Sequence, residues 1–426
     1  MGIKVSISQR LKMLAVFLAI VGPGLITANV DNDAGGIATF SIAGSQFGYA
    51  LLWALVPITV SLVVIQEMSA RMGVVTGKGL ADLIREKYGV KTIFFVMGAL
   101  LLANAGTSAA EFAGVAAAGE ILGFSKYLAV PLAAALVWVL VVKGNYKIVE
   151  KIFLFSILFY FSYVISAFLV PGMNWGVALK SLVTPSIQFS TPYLTVLIAL
   201  IGTNITPWMQ FYLQSSIVEK GIKLKDYKYS RLDVIVGCIM TDVISFFIIV
   251  ATAATLFAAG IPVESAGDAA RALAPLDGNY AAILFSFGLL NASLLGAAVI
   301  PLTTAYHVCE GFGWEAGINK KLKDAPAFYT LFTITLLFGV AVVLIPRAPL
   351  LEIMFFSQVL NGILLPFILI FMLSLINNRE LMGKHVNGPI FNLIAWTTSI
   401  VLMVLTVLMI ASMFFPGLFS FFGLVS

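Results

Sequence analysis

Two carboxylates, two asparagines and a glycine pair stand in the middle of an apolar run. The stretch Gly22-Pro-Gly-Leu-Ile-Thr-Ala-Asn-Val-Asp-Asn-Asp-Ala-Gly-Gly36 lies inside a segment from about Leu14 to Ala43. A charged side chain at the centre of a bilayer costs roughly 2.5–3.5 kcal/mol on insertion scales, so Asp31 and Asp33 mark an ion or substrate path. Unwinding here frees backbone carbonyls beside Asp31, Asn32 and Asp33, and Gly35 and Gly36 permit the non-helical angles that unwinding needs. The result is a hard, all-oxygen ligand set centred on Asp33. For Asp31 and Asn32 a second role stays open, that of capping a half-helix. A matching stretch follows about 170 residues later, Gly202-Thr-Asn-Ile-Thr-Pro-Trp-Met-Gln210. Pro207 removes a backbone hydrogen bond and exposes carbonyls around Thr203, while Asn204, Thr206 and Gln210 add neutral polar groups. Two interrupted helices at matching places in the two halves of a chain point to a transport site between them. The chemistry expected of it is the capture of a divalent cation.

Such a cluster has to be held by membrane-spanning helices. Of the 426 residues, 60% are hydrophobic and 11% are charged, and the mean hydropathy is +1.03, which excludes a water-soluble globule. Eleven apolar spans are long enough to cross a core of ~30 Å. They lie at about 13–45, 47–70, 92–121, 127–142, 149–170, 192–217, 232–260, 279–309, 327–346, 349–376 and 390–414. The apolar run after Lys4, Arg10 and Lys12 continues past Pro23 and the acidic break, so it reads as a retained first helix and not as a cleaved signal. With the N-terminus in the cytoplasm, all but Lys126, Lys180, Arg271 and Arg347 of the 25 basic residues fall on the inner side. The positive-inside rule then places the C-terminus outside. The net charge of +5 is therefore an orientation signal, and nucleic-acid binding is not expected. The first five and next five spans pair as inverted halves of one transmembrane domain, at about 13–170 and about 192–376, with an extra helix at about 390–414. Cys238 and Cys309 sit in apolar stretches and imply no disulfide. Between the second and third spans, Gly79 to Glu86 has the look of a short amphipathic piece.

Several motifs occur in a telling order. Gly22-Pro-Gly24 and Asp33-Ala-Gly-Gly36 resemble the G-P-G and D-P-G-N of the first helix in the natural resistance-associated macrophage protein (NRAMP) metal-ion transporters. Thr76-Gly-Lys78 with Leu80 is similar to the T-G-K-x-L after the second helix, and Thr107-Ser-Ala-Ala-Glu111 to the T-D-L-A-E of the third. Ser357-Gln-Val359 before Leu365-Pro-Phe367, and then Asn378-Arg-Glu-Leu-Met-Gly383, resemble the tenth helix and its exit. The resemblance covers most of the chain. It implies an all-α polytopic membrane protein of the LeuT-type fold, a 5+5 inverted repeat with broken first and sixth helices and eleven transmembrane helices. It also implies a multi-pass transporter of the cell (inner, plasma) membrane and no enzyme. Its partners would be divalent metal ions and the lipid bilayer, with no nucleic acid, no obligate protein partner and no cofactor apart from the carried Mg²⁺ or Mn²⁺.

The departures from that pattern carry the substrate. Where the family's sixth helix reads A-x-x-M-P-H, this chain has Thr203-Asn-Ile-Thr-Pro-Trp208. The methionine thioether is replaced by the hydroxyl of Thr206, the histidine by Trp208, and the asparagine of D-P-G-N by Gly36. Met209 lies three positions beyond Thr206, on a different face if helix resumes there. Carboxylate, carbonyl and water suit Mg²⁺ and Mn²⁺ where thioethers suit softer metals, and Mg²⁺ keeps several of its waters. A harder, roomier site is expected, similar to that of the NRAMP-related magnesium transporters of prokaryotes. The expected metal-site residues are Asp33, Thr203, Thr206, Asn32, Asp31, Gly36, Asn204 and Gln358, with Asn361 a further candidate. Glu111, Trp208, Gln210 and Met209 are candidates for a proton path or for an outer layer of the site. Because Trp208 cannot titrate and Ser108 replaces an aspartate, import is expected to follow the cation gradient and membrane potential without obligatory proton movement. Two rival readings are a proton-coupled Mn²⁺/Fe²⁺ importer and a Na⁺-coupled carrier of a small organic solute. Among the other polar residues, Glu67 and Arg71 have ion-pair spacing. Asp233 is expected to reach out to the cytoplasmic interface, alone or on a polar path with Asp242, and His307 to be a satisfied structural histidine.

Overall fold

The computed structural model describes residues 22–143, 173–265 and 279–414, together with 151, 164–165, 167–168, 170 and 268–269. The start of the first expected span and most of the fifth lie outside the described residues. The apolar runs fold as helices close to the expected limits. In chain order they are α1 (Pro23–Asn29), a 3₁₀ turn (Val30–Asn32), α2 (Ala34–Phe47), α3 (Leu52–Thr76), α4 (Leu80–Ile121) and α5 (Lys126–Lys143). After the short α6 (Trp175–Ser181) come α7 (Thr191–Asn204), α8 (Pro207–Lys220) and α9 (Tyr227–Thr252), which runs on through a π-helical turn to Phe257. The rest are α10 (Asn279–Phe312), α11 (Pro326–Leu344), α12 (Leu350–Ile376), the one-turn α13 (Arg379–Met382) and α14 (Pro389–Phe414). Among the described residues nine helices, with α7 and α8 taken as one, are long and apolar enough to cross a membrane. The interrupted pair α1–α2 supplies a further crossing.

Local chemistry sets the breaks. Proline starts α1 and α8, where a missing N–H costs nothing. Gly89, at φ 81°, separates the amphipathic turns from Leu80 onward from the spanning part of α4, as a residue with no Cβ can. The centre of the molecule is built by α4 against α10, α11 and α12, while α9 lies along α1, α2 and α3, and α7 packs on α12. The two interrupted helices are therefore packed among α3, α4, α9, α10 and α12.

Polar groups fasten this frame. Glu67 and Arg71 form the expected i,i+4 pair at 3.0 Å. Arg71 also donates to the carbonyls of His385 and Val386 and to Asn387 Oδ1, and the Tyr227 hydroxyl donates to Glu67. The pair thus ties α3 to α9 and to the loop before α14. Lys126 is also buried, its Nζ donating to the carbonyls of Val343 and Ile345 at 2.9 Å each, which satisfies the open C-terminal end of α11.

Candidate functional site

At the first break, Asp33 takes extended angles (φ −65°, ψ −174°) and caps α2, its Oδ1 accepting from Gly36 N at 2.6 Å. Two other helices bring side chains to the same carboxylate. From α12, Gln358 Nε2 stands 3.5 Å from Asp33 Oδ1. From α4, the Glu111 carboxyl interacts directly with that of Asp33 and accepts from Ala34 N at 3.4 Å. Behind Gln358, Asn361 Nδ2 donates both to Gln358 Oε1 at 3.1 Å and to Thr107 Oγ1 at 3.2 Å. A polar chain therefore runs from α4 through α12 to Asp33.

At the second break, α7 ends at Asn204, Ile205 leaves the helical region (φ −129°, ψ 70°), and Thr206 caps α8 with extended angles. The Thr206 hydroxyl, the Asn204 side-chain oxygen and both amide atoms of Gln210 are buried with no hydrogen-bond partner. Asn204 does use its Nδ2, on the Leu200 carbonyl at 2.7 Å. Thr203 Oγ1 lies 3.4 Å from the Asp31 carbonyl oxygen, as donor to it. The two breaks thus meet at the Asp31 carbonyl and the Thr203 hydroxyl.

Glycines make this approach possible. A Cβ on Gly36 would stand 2.1 Å from the Asp31 carbonyl oxygen and 3.1 Å from Thr203 Oγ1. On Gly35 it would meet Gln358 Nε2 at 1.9 Å, and on Gly202 the Gln358 carbonyl oxygen at 2.2 Å. Position 36 is therefore where the two breaks close on each other, and the extra room expected there is already filled by backbone.

Other expectations need correction. Asn32 turns to α9 and away from Asp33, donating through Nδ2 to Thr241 Oγ1 at 2.5 Å and accepting from Ser245 Oγ at 3.1 Å. Its amide fastens the break to α9. Asp31 caps nothing with its carboxylate, whose two oxygens lack partners. Asp233, expected at the interface, is 1% exposed and sits over the start of α1. Its carboxylate accepts from Gly22 N, Gly24 N and Leu25 N at 3.2, 2.7 and 3.3 Å. Desolvated N–H groups at a helix start attract a carboxylate more strongly than the distant interface does. Nothing in the local pattern joins residue 233 to residues 22–25; the one available signal was the G-P-G run, which leaves a helix start without a side-chain acceptor. His307 is buried with neither ring nitrogen partnered, packed at 5.5 Å between centroids against Phe211, so it is structural without being satisfied. Trp208 is fully buried, its Nε1 unpartnered and its ring edge-on to Tyr212. Met209 is buried within α8. Ser108 donates to the Thr335 carbonyl at 3.1 Å, on the α11 side of α4. Among the described residues no three His, Cys, Asp or Glu side chains are grouped so as to hold a metal ion by themselves. A cation here would need backbone, amide, hydroxyl or water oxygen beside Asp33.

Comparison with known proteins adds three findings. The family model described as Natural resistance-associated macrophage protein-like matches residues 24–412. A divalent metal cation transporter MntH of Ralstonia nicotianae is 30% identical over 420 residues, covering 92% of this chain and 90% of its own. The namesake from Deinococcus radiodurans is 28% identical, with coverages of 91% and 88%. Among solved structures, a mutant of the Eremococcus coleocola manganese transporter superposes with a TM-score of 0.78 at 22% identity, covering 94% of this chain and 88% of that one. A nucleobase-cation-symport-1 family transporter superposes at 0.59 and 17% identity, with coverages of 95% and 94%. These likenesses establish the LeuT-type fold, with its first and sixth helices interrupted.

Proposed function

Because the chain belongs to the natural resistance-associated macrophage protein-like family of divalent-metal transporters, we propose that it imports Mg²⁺, with Mn²⁺ as second substrate, as a partly hydrated ion. It is a multi-pass transporter of the plasma membrane and not an enzyme. The observation that carries the choice of cargo is the second break. The position at which the family pattern places a thioether holds the buried, unpartnered hydroxyl of Thr206. In this reading Asp33 supplies the charge, Thr203, Thr206 and the Asp31 carbonyl supply neutral oxygen, and Gln358, whose Nε2 faces Asp33 while its Oε1 accepts from Asn361, holds the carboxylate in place. Met209 stands inside α8, past the end that Thr206 caps. An ion that keeps several waters and binds through one carboxylate matches what Mg²⁺ demands, and the lack of sulfur removes the advantage of softer metals. Cations enter from the outer side, meet Asp33 at mid-depth and leave inward as the two broken helices rearrange.

No imidazole follows Pro207, so movement is driven by the cation gradient and the membrane potential. A second reading, the proton-coupled Mn²⁺ or Fe²⁺ importer, draws on the contact between Glu111 and Asp33, which leaves a titratable group against the charge that meets the ion. Purified protein in liposomes, loaded with a Mg²⁺ indicator and a pH indicator, separates the two. Mg²⁺ uptake without internal acidification is the expected result. Acidification that scales with uptake would replace this account with the coupled one.

A further inference from the structure

A group of acids beside the cargo site remains unexplained by that reading. Asp31 and Asp242 are 1% and 5% exposed, and all four of their carboxylate oxygens lack a hydrogen-bond partner. The Asp242 carboxylate is the strongest charge acting on Asp31, with that of Asp33 next. Among the described residues no Lys or Arg acts on either acid. The Thr59 hydroxyl, which donates to the Leu55 carbonyl at 2.7 Å, also lies against the Asp242 carboxylate. Cys238, one helical turn before Asp242 and fully buried, lies within reach of both charges.

The surroundings hold these two acids together on purpose-built bonds. Asn32, next to Asp31, is tied to Thr241, next to Asp242, by its 2.5 Å hydrogen bond, and a second bond from Ser245 Oγ completes the clamp. The 3₁₀ turn and α9 are thereby locked in a register that brings the two carboxylates near each other. Burying unpaired carboxylates is among the largest penalties a fold can carry, and buried acids in a membrane-spanning segment pair or coordinate.

We propose that Asp31 and Asp242 form a second binding site for a hydrated divalent cation, beside the Asp33 site and between the first break and α9. One divalent ion neutralises both carboxylates. Its remaining positions are filled by water and the neighbouring backbone, consistent with a cation that binds through one or two carboxylates. The two sites are joined through Asp31, whose carbonyl faces Thr203 while its carboxylate faces away from any partner. A cation arriving at one then lowers the affinity of the other, which favours release of an ion held at mid-depth.

The proposal rests on the Asp33 reading, and counting bound ions distinguishes the failure of each. Full-length protein in detergent is titrated with Mn²⁺, and free Mn²⁺ is measured from its electron paramagnetic resonance signal. Wild type should bind two ions. Asp242→Asn and Asp31→Asn, which keep the shape of the side chain, should each bind one, as should Asp33→Asn, and Asp33→Asn combined with Asp242→Asn should bind none. Elution of each variant as a monodisperse peak identifies a folded protein, and the Asp31 and Asp242 variants check one another. If both bind as many ions as wild type, the pair is a plain acid pair and this proposal is overturned, with the Asp33 reading intact. If the Asp33→Asn protein still binds two ions while Asp242→Asn loses one, the Asp33 reading falls and the second site stands.

Discussion

Asp33→Ala brings Mg²⁺ uptake into proteoliposomes down to the level of protein-free vesicles, a fall of about 100-fold or more, since even groups that only orient a metal ligand are worth about 10–100-fold. The substitution removes two things at once. One is the charge proposed to meet the ion; the other is the cap on α2, because Asp33 Oδ1 accepts from Gly36 N. A lost cap costs about 1 kcal/mol, enough to loosen the break without unfolding an enclosed helix. Asp33→Asn separates the effects. It retains an acceptor oxygen for Gly36 N and for the contact with Gln358 but carries no charge. The expected outcome is loss of uptake in both variants, with the apparent melting temperature of Asp33→Asn close to that of wild type. Uptake near the wild-type rate in Asp33→Asn would remove the carboxylate from the transport step.

Asp233→Ala has the second large effect, and it acts on the fold. Three backbone N–H groups at the start of α1 have this one carboxylate as acceptor. Hydrogen bonds to a charged group are worth about 1.5–3 kcal/mol, and buried donors left unmade cost about 1–3 kcal/mol. Water has little access, because α1 and α9 approach at backbone distance. A Cβ on Gly24 would lie 2.6 Å from Val234 N, and one on Gly237 would lie 2.8 Å from the Gly24 carbonyl oxygen. The variant should lose at least about 3 kcal/mol, seen as a lower apparent melting temperature in detergent. It should also expose the first helix to protease. Asp233→Asn, which keeps an acceptor oxygen, should fall between the two. An Asp233→Ala protein as stable as wild type, with α1 equally protected, would contradict the capping role.

The parts of this architecture legible in the sequence are those that depend on composition along one stretch of chain. Helix limits follow from apolar length, so α3, α7 to α12 and α14 lie close to the expected spans. Both breaks were legible because Pro207 and the Asp31–Gly36 run contradict a straight apolar helix. Pairing across the bundle was not legible. Asn32 reads as a ligand until α9 is placed beside it, when Thr241 and Ser245 take both ends of its amide. Asp233 reads as an interfacial acid because its partners lie more than two hundred residues away. Gly36 reads as an absent ligand, whereas in three dimensions its lack of a Cβ lets the Asp31 carbonyl and Thr203 close over it. In each case a short residue had several local uses, and its tertiary neighbours decided among them.

Thr206 is where the account is most exposed, since its hydroxyl is the buried, unpartnered group that stands in for sulfur. Calorimetric titration of purified wild-type and Thr206→Met protein with Mg²⁺, Mn²⁺ and Cd²⁺ reads the site directly. Wild type should bind Mg²⁺ and Mn²⁺ with no preference for Cd²⁺, and Thr206→Met should gain Cd²⁺ affinity about tenfold or more while Mg²⁺ binding weakens. Wild-type protein that binds Cd²⁺ far more tightly than Mg²⁺, or gives no heat with Mg²⁺ at all, would contradict an oxygen-only magnesium site.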